Sequence, residues 1–162
     1  MDLLPHRLSS NQKGSFSKKL REKLYLDRVW IDKKPIGKTM GKTDKIEDIP
    51  EVEIADAGKF KYILIEAKDK DPTFQRPKFL VRGDAESPYH ADILDKAIDK
   101  IDETKLTLNC VGGGRLRVDP AQKTIFVFGY SQGFGKADHR KTVEILQKYY
   151  QQWKIEITDE EY

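Results

Sequence analysis

Sulfur chemistry is almost absent from this sequence: Cys110 is the only cysteine among 162 residues, so no disulfide can form within the chain. That usage fits a reducing, intracellular setting. Histidine is scarce too. His6, His90 and His139 lie far apart, and no Cys-x-x-Cys or His-x-His pair supplies the ligand spacing of a structural zinc site. No apolar run approaches the roughly 18–20 residues that span a bilayer, and the opening MDLLPHRLSSNQKG lacks the apolar stretch of a secretory signal. A cytoplasmic protein without membrane contact or metal is the expectation. Strong charge of one sign is missing as well. The net charge is +3, with 12 Lys/Arg against 7 Asp/Glu in residues 1–48 and 18 against 20 in residues 49–162. The later part is nearly balanced, so any nucleic-acid binding would have to rest on the N-terminal segment alone.

What is present changes character at Ile49. Residues 1–48 are rich in Lys, Ser and Gly and are expected to form a basic, disordered extension. Leu20, Leu24 and Leu26 with Trp30 allow one short amphipathic helix there. Between Asp2 and Glu22 there are five basic residues and no acidic one, so organelle targeting by residues 1–25 is the competing reading.

From residue 49 to 162 the pattern predicts one domain of the α/β (α+β) class, a mixed sheet of about six strands flanked by two helices. Val52 and Ile54 alternate with acids before a turn at Asp56-Ala-Gly58. FKYILIEA, 60–67, reads as a buried strand, 68–77 as a loop, and KFLVR, 78–82, as a strand stopped by Gly83. Ser87 as N-cap and Pro88 as first helical residue open a helix, with Ala91, Leu94, Ile98 and Ile101 forming its apolar stripe. Residues 106–111 resume β character, the triplet Gly112-Gly-Gly114 interrupts it, and 115–118 continue it. After a turn at Asp119-Pro120, TIFVFGY (124–130) is the strongest strand signal. A glycine-rich loop at 131–135, a helix at 138–150 and a strand at 154–158 close the chain.

Three places can carry chemistry. His90 would sit in the first turn of the first helix, where the positive end of the helix dipole holds an imidazole neutral and able to accept a proton. It can equally pack beside Leu94 and Ala97. The loop Gly129-Tyr-Ser-Gln-Gly-Phe-Gly135 follows a buried strand and precedes a helix. Its glycines let backbone amides converge on an anion, or serve only as a tight turn. It ends neither in the Gly-Lys-Ser/Thr of a nucleotide-binding loop nor in GxGxxG, which argues against a nucleotide. Gly112-Gly-Gly-Arg115 is a bulge with a surface arginine, or a close backbone approach with a guanidinium fork suited to phosphate. Arg82 and Lys61 are further cations, although Lys61 can simply face solvent. Together these residues describe a phosphoryl site.

Tyr89-His-Ala-Asp-Ile93, Val111-Gly-Gly-Gly-Arg115 and Tyr130-Ser-Gln-Gly-Phe-Gly-Lys-Ala-Asp-His139 resemble the motifs of the janus/ocnus family, which includes phosphohistidine phosphatase. Phe60-Lys-Tyr-Ile-Leu-Ile65 and Val81-Arg-Gly83 match in the same order, and the likeness runs over residues 49–162. The wording of the 131–139 loop is similar to the janus-A branch, linked to sex-specific regulation in insects. The resemblance implies a compact monomer that needs no metal or cofactor and acts on phosphohistidine-containing proteins. It implies His90 as the catalytic residue, Lys61 as a substrate contact, Ser131, Gln132 and Gly133 as the phosphate loop, and Gly112, Arg82 and Arg115 as support. His139 is expected to be structural. The longer N-terminal segment and the 68–77 loop depart from the family pattern without touching its motifs. A regulatory module that binds phosphoproteins without turning them over is the alternative.

Overall fold

The computed structural model describes residues 41–74 and 76–160. The expectations for the N-terminal extension, its short helix and its targeting role fall almost wholly outside those residues.

Six strands form one mixed sheet: β1 (Val52–Glu53), β2 (Gly58–Asp69), β3 (Lys78–Asp84), β4 (Leu106–Asp119), β5 (Thr124–Phe128) and β6 (Lys154–Ile157). Their spatial order is β1-β3-β2-β4-β5-β6. The four central strands pair antiparallel, while β1 and β6 join the two edges in parallel. Helix α1 (His90–Ile98) links β3 to β4 across β2, and α2 (His139–Tyr149) links β5 to β6. A short 3-10 turn, Ile46–Asp48, precedes β1.

Strand alternation sends β2 side chains to two separate cores. Phe60, Tyr62 and Leu64 meet Leu116, Val127, Ile145 and Leu146 beneath α2. Ile63, Ile65 and Ala67 meet Leu80, Ile93, Ala97 and Ile101 beneath α1. The second core also takes in Ile49, with Ile46 packed against it. Thr43 exchanges main-chain hydrogen bonds with Lys100 and Asp102, so contact with the sheet layer begins ahead of the compositional change at Ile49.

Several local expectations are corrected. Gly83 does not stop β3; the strand runs through it to Asp84 because both pair with β2, at Tyr62 and Lys61, and the Phe60 ring lies 2.7 Å from where a Cβ would stand. The 68–77 loop begins later, since β2 extends to Asp69. The glycine triplet does not interrupt β4, which runs unbroken over 14 residues. The irregularity is a bulge one residue earlier: Leu64 faces Gly112 and Ile65 faces Cys110, leaving Val111 outside the pairing and exposed. Before this extra residue the even-numbered Leu106 and Leu108 point toward α1; after it the odd-numbered Gly113, Arg115 and Arg117 do.

Helix α1 also starts later than expected. Ser87 is not its N-cap, because the serine hydroxyl donates to Asp84 Oδ2 at 2.7 Å. Tyr89 is the extended cap residue, and its amide donates to Asp92 Oδ2 at 2.8 Å. The inner stripe of the helix is therefore His90, Ile93 and Ala97, one residue out of step with the expected Ala91, Leu94 and Ile98, while Ile101, just past its end, is buried as expected. At α2 the cap is Asp138, whose carboxylate accepts from the amides of Arg140 and Lys141.

Candidate phosphoryl site

His90 is the first residue of α1 and faces inward, only 8% exposed. Its Nε2 lies 2.9 Å from the carbonyl oxygen of Gly114. A carbonyl can only accept, so Nε2 carries the proton and donates it, and Nδ1 keeps its lone pair. Burial pushes the His90 pKa below its ordinary value, and the positive charges of Lys61 and Arg115 push the same way, against a smaller opposing effect of the Gly114 carbonyl. The ring is neutral at neutral pH.

Each glycine of the triplet is required by a close neighbour. A Cβ on Gly112, whose φ is +144°, would stand 2.6 Å from the Ala137 backbone, and one on Gly114 would stand 2.6 Å from the Phe128 carbonyl oxygen. A Cβ on Gly113 would lie 2.8 Å from His90 Cδ2 and 3.1 Å from Ser131 Cβ. The imidazole and the Ser131 side chain thus converge over one glycine. Residues 41 positions apart in sequence meet because α1 returns along β4 and the 131–135 turn is stitched to the same strand.

That stitching uses the Gly113 amide, which donates to the Gly135 carbonyl at 3.0 Å, and the Ala137 amide, which donates to the Gly113 carbonyl at 3.0 Å. Inside the turn, the Ser131 amide also donates to Gly135, at 3.1 Å, and the Phe134 amide donates to Ser131 Oγ at 3.2 Å. The amide of Ser131 is therefore occupied, while its hydroxyl, which accepts from Phe134, keeps its own hydrogen to donate. Gln132 and Gly133 sit exposed at the tip, and their amides have no acceptor among the described residues. An anion held there would be held by those two amides and the serine hydroxyl.

Lys61 and Arg115 face each other across β2 and β4, on the α1 side of the sheet. They stand two residues along their strands from the Ile63–Gly113 pair, where the His90 ring lies, and both push the His90 pKa down. Arg82 is placed differently from the sequence expectation. Its buried guanidinium donates to the carbonyls of Pro50 (2.7 Å), Val81 (3.0 Å) and Glu51 (3.3 Å) and pairs with Glu53 at 3.4 Å. It lines a groove with Glu53, Ile54, Lys96 and Lys100, whose lining does not include His90. Its work is to fasten the 50–53 segment to β3.

His139 begins α2 on the opposite face. Its Nε2 donates to the Gly129 carbonyl at 2.9 Å, so its Nδ1 accepts from the Tyr62 hydroxyl at 2.6 Å, and that oxygen lies 3.2 Å from Thr142 Oγ1. Burial lowers the His139 pKa and raises that of Tyr62, so the pair is uncharged. This network holds the carbonyl just before Tyr130-Ser131. Sequence pattern placed Tyr62 in a buried strand but carried no sign of its partner. The Gly114 carbonyl that fixes the His90 tautomer was equally invisible, since a main-chain acceptor leaves no mark on the sequence. Among the described residues no cluster of three His, Cys, Asp or Glu forms a metal-binding set, and no helix is long and apolar enough to cross a membrane.

The chain is similar to known proteins over most of its described length. The model of the Janus/Ocnus family matches residues 46–154. The sex-regulated protein janus-A of Drosophila melanogaster is 40% identical over 119 residues, covering 74% of this chain and 86% of that protein. The janus-A protein of Drosophila pseudoobscura pseudoobscura is 40% identical over 116 residues, covering 70% of this chain and 78% of its own length. A 14 kDa phosphohistidine phosphatase of Sus scrofa is 34% identical over 120 residues, covering 72% of this chain and 95% of the relative.

Proposed function

The chain belongs to the Janus/Ocnus family, and from that premise we propose that it is a protein phosphohistidine phosphatase in which His90 is the catalytic group. The observation that carries this reading is the convergence of the neutral His90 ring and the Ser131 side chain over Gly113. The Lys61–Arg115 pair lies alongside.

In the reaction, the amides of Gln132 and Gly133, the Ser131 hydroxyl and the Arg115 guanidinium bind the phosphoryl oxygens. Lys61 adds charge to the same anion. Nδ1 of His90 takes a proton from water as the water oxygen attacks phosphorus. The P–N bond breaks, its electron pair returns to the substrate imidazole, and inorganic phosphate leaves. A P–N bond is labile, so positioning and charge stabilisation supply what the step needs, and no metal is assigned a part. The same lone pair can instead attack phosphorus directly, giving a phosphorylated His90 that water then hydrolyses. Rapid-quench labelling under single turnover separates the two routes: phosphate on His90 supports direct attack, and none supports the base.

His90→Ala should lower phosphate release from a phosphohistidine peptide by about 10²–10⁴-fold while the thermal transition stays cooperative. Activity unchanged in that variant would exclude His90, and activity abolished by EDTA would bring a metal into the step. The janus-A relatives carry a regulatory name, which makes a phosphoprotein-binding module the second reading. Phosphate-dependent binding without phosphate release would favour it.

A further inference from the structure

Helix α1 covers only part of its face of the sheet. The remainder carries a ladder of cations. Lys61 stands opposite Arg115, and one step along the strands Lys59 stands opposite Arg117. Arg117 lies over the Phe126 ring at 4.7 Å and Lys59 over Phe128 at 5.2 Å, so both are set against the sheet surface. Like charges directly opposite one another destabilise a sheet unless an anion lies between them. Asp84 stands in register with Lys61 on the other side of β2. The first pair belongs to the phosphoryl site. The second has no part in it, yet already holds a carboxylate: Glu160 forks onto Arg117 with contacts of 2.8 and 3.2 Å. Two acids approach the surface from its edges. Asp84 is tied to Lys96 and Ser87, and Glu156 to Lys154.

We propose that the Lys59–Arg117 pair is the docking position for an acidic residue of the substrate protein, and that Glu160 occupies it when no substrate is bound. This rests on the phosphatase reading and adds the substrate class. Its register follows from geometry. Alternate residues of a strand are separated by about 6.8 Å, the same step in the sheet and in an extended peptide. With the phosphorylated residue over Lys61 and Arg115, the side chain two residues away in an extended segment reaches Lys59 and Arg117. The preferred substrate is thus a phosphohistidine in an extended segment with Asp or Glu two residues from it. The Arg117–Glu160 pair is exposed, so displacing Glu160 is easy.

The test uses the full chain, Arg117→Glu and Glu160→Gln. Substrates are phosphohistidine peptides with Asp, Ala or Lys at both positions two residues from the target, and free phosphohistidine. Peptide affinities are measured beside turnover. The unaltered chain should favour the Asp peptide over the Ala peptide by roughly two- to fivefold, less so at high salt. Arg117→Glu should shift the preference to the Lys peptide, Glu160→Gln should strengthen that for Asp, and all three chains should treat free phosphohistidine alike. Equal handling of the Asp and Ala peptides, or an unchanged preference in Arg117→Glu, overturns the docking proposal. An acidic preference in affinity with no phosphate release from any substrate supports the docking position and refutes the phosphatase reading instead.

Discussion

Burial and the charges of Lys61 and Arg115 act together on the His90 imidazole, and the consequence is a pH profile with a definite sign. In the proposed reaction the reacting form is the neutral ring. A plot of kcat/KM against pH should rise on the acid side and level off with its midpoint below the ordinary 6.5. Lys61→Met removes one depressing charge and should move that midpoint upward; a midpoint above neutrality in the parent chain would mean the ring is not held as described. Stability follows the same groups. His90 and His139 both have lowered native pKa values, so the folded chain binds fewer protons than the unfolded chain just below 6.5. Their contribution is complete above the unfolded value and is lost as pH falls through the lowered ones. At this scale the sequence was informative about identity and weak about geometry. Of the residues it singled out, the fold brings His90, Lys61, Arg115 and Ser131 together, and it engages the Arg82 guanidinium with three carbonyls and a carboxylate. A buried arginine beside a glycine reads alike as a phosphate contact and as a structural tie.

Among the elements, β4 and its glycines carry the site. A triplet of glycines inside β character signalled either a bend or a close approach, and close approach is the answer at all three positions. The neighbours come from β5, the 136–139 segment and α1, so no local pattern could name them. Gly113→Ala is the sharpest probe. The new methyl meets the His90 ring, the Tyr62 carbonyl and Ser131 at 2.8–3.1 Å, and the ring cannot retreat without giving up Gly114. Its kcat/KM should drop at least about tenfold, and the urea midpoint should report a loss of about 1–3 kcal/mol. Val111→Ala, at the exposed bulge, should stay within about 0.5 kcal/mol. The offset in α1 has a comparable origin. Ser87-Pro88 is a good helix opening by composition, but Asp84 takes the serine hydroxyl and Asp92 takes the Tyr89 amide, so the apolar stripe begins at His90 itself.

For the molecule as a whole, strand alternation made six strands and two helices legible, because each strand packs one face against a helix. The order of the strands was not legible. The crossing of α1 over β2 follows from β2 lying between β3 and β4, and that is settled by tertiary contacts between distant segments. The same holds for the residues ahead of Ile49. Their polar composition hid an apolar anchor, Ile46, which joins Ile49 in the core under α1, and Lys78 of β3 donates to the carbonyls of both. A chain starting at residue 50 should therefore be less stable than one starting at residue 42 by about 2–4 kcal/mol, measured by urea denaturation. Equal stability would show that the anchors contribute nothing. Val111 has a consequence of the same reach. It is a single surplus residue in the pairing of β4 with β2, and it decides which side of the slab each later residue of that strand looks toward. Drawn into the regular ladder opposite Leu64 instead of bulging, it would turn Arg115 and Arg117 into the oily layer under α2 and bring Leu116 and Val118 out to water. The bulge between Cys110 and Arg115 thus matters to the candidate site as much as the residues themselves: in this strand, parity is chemistry.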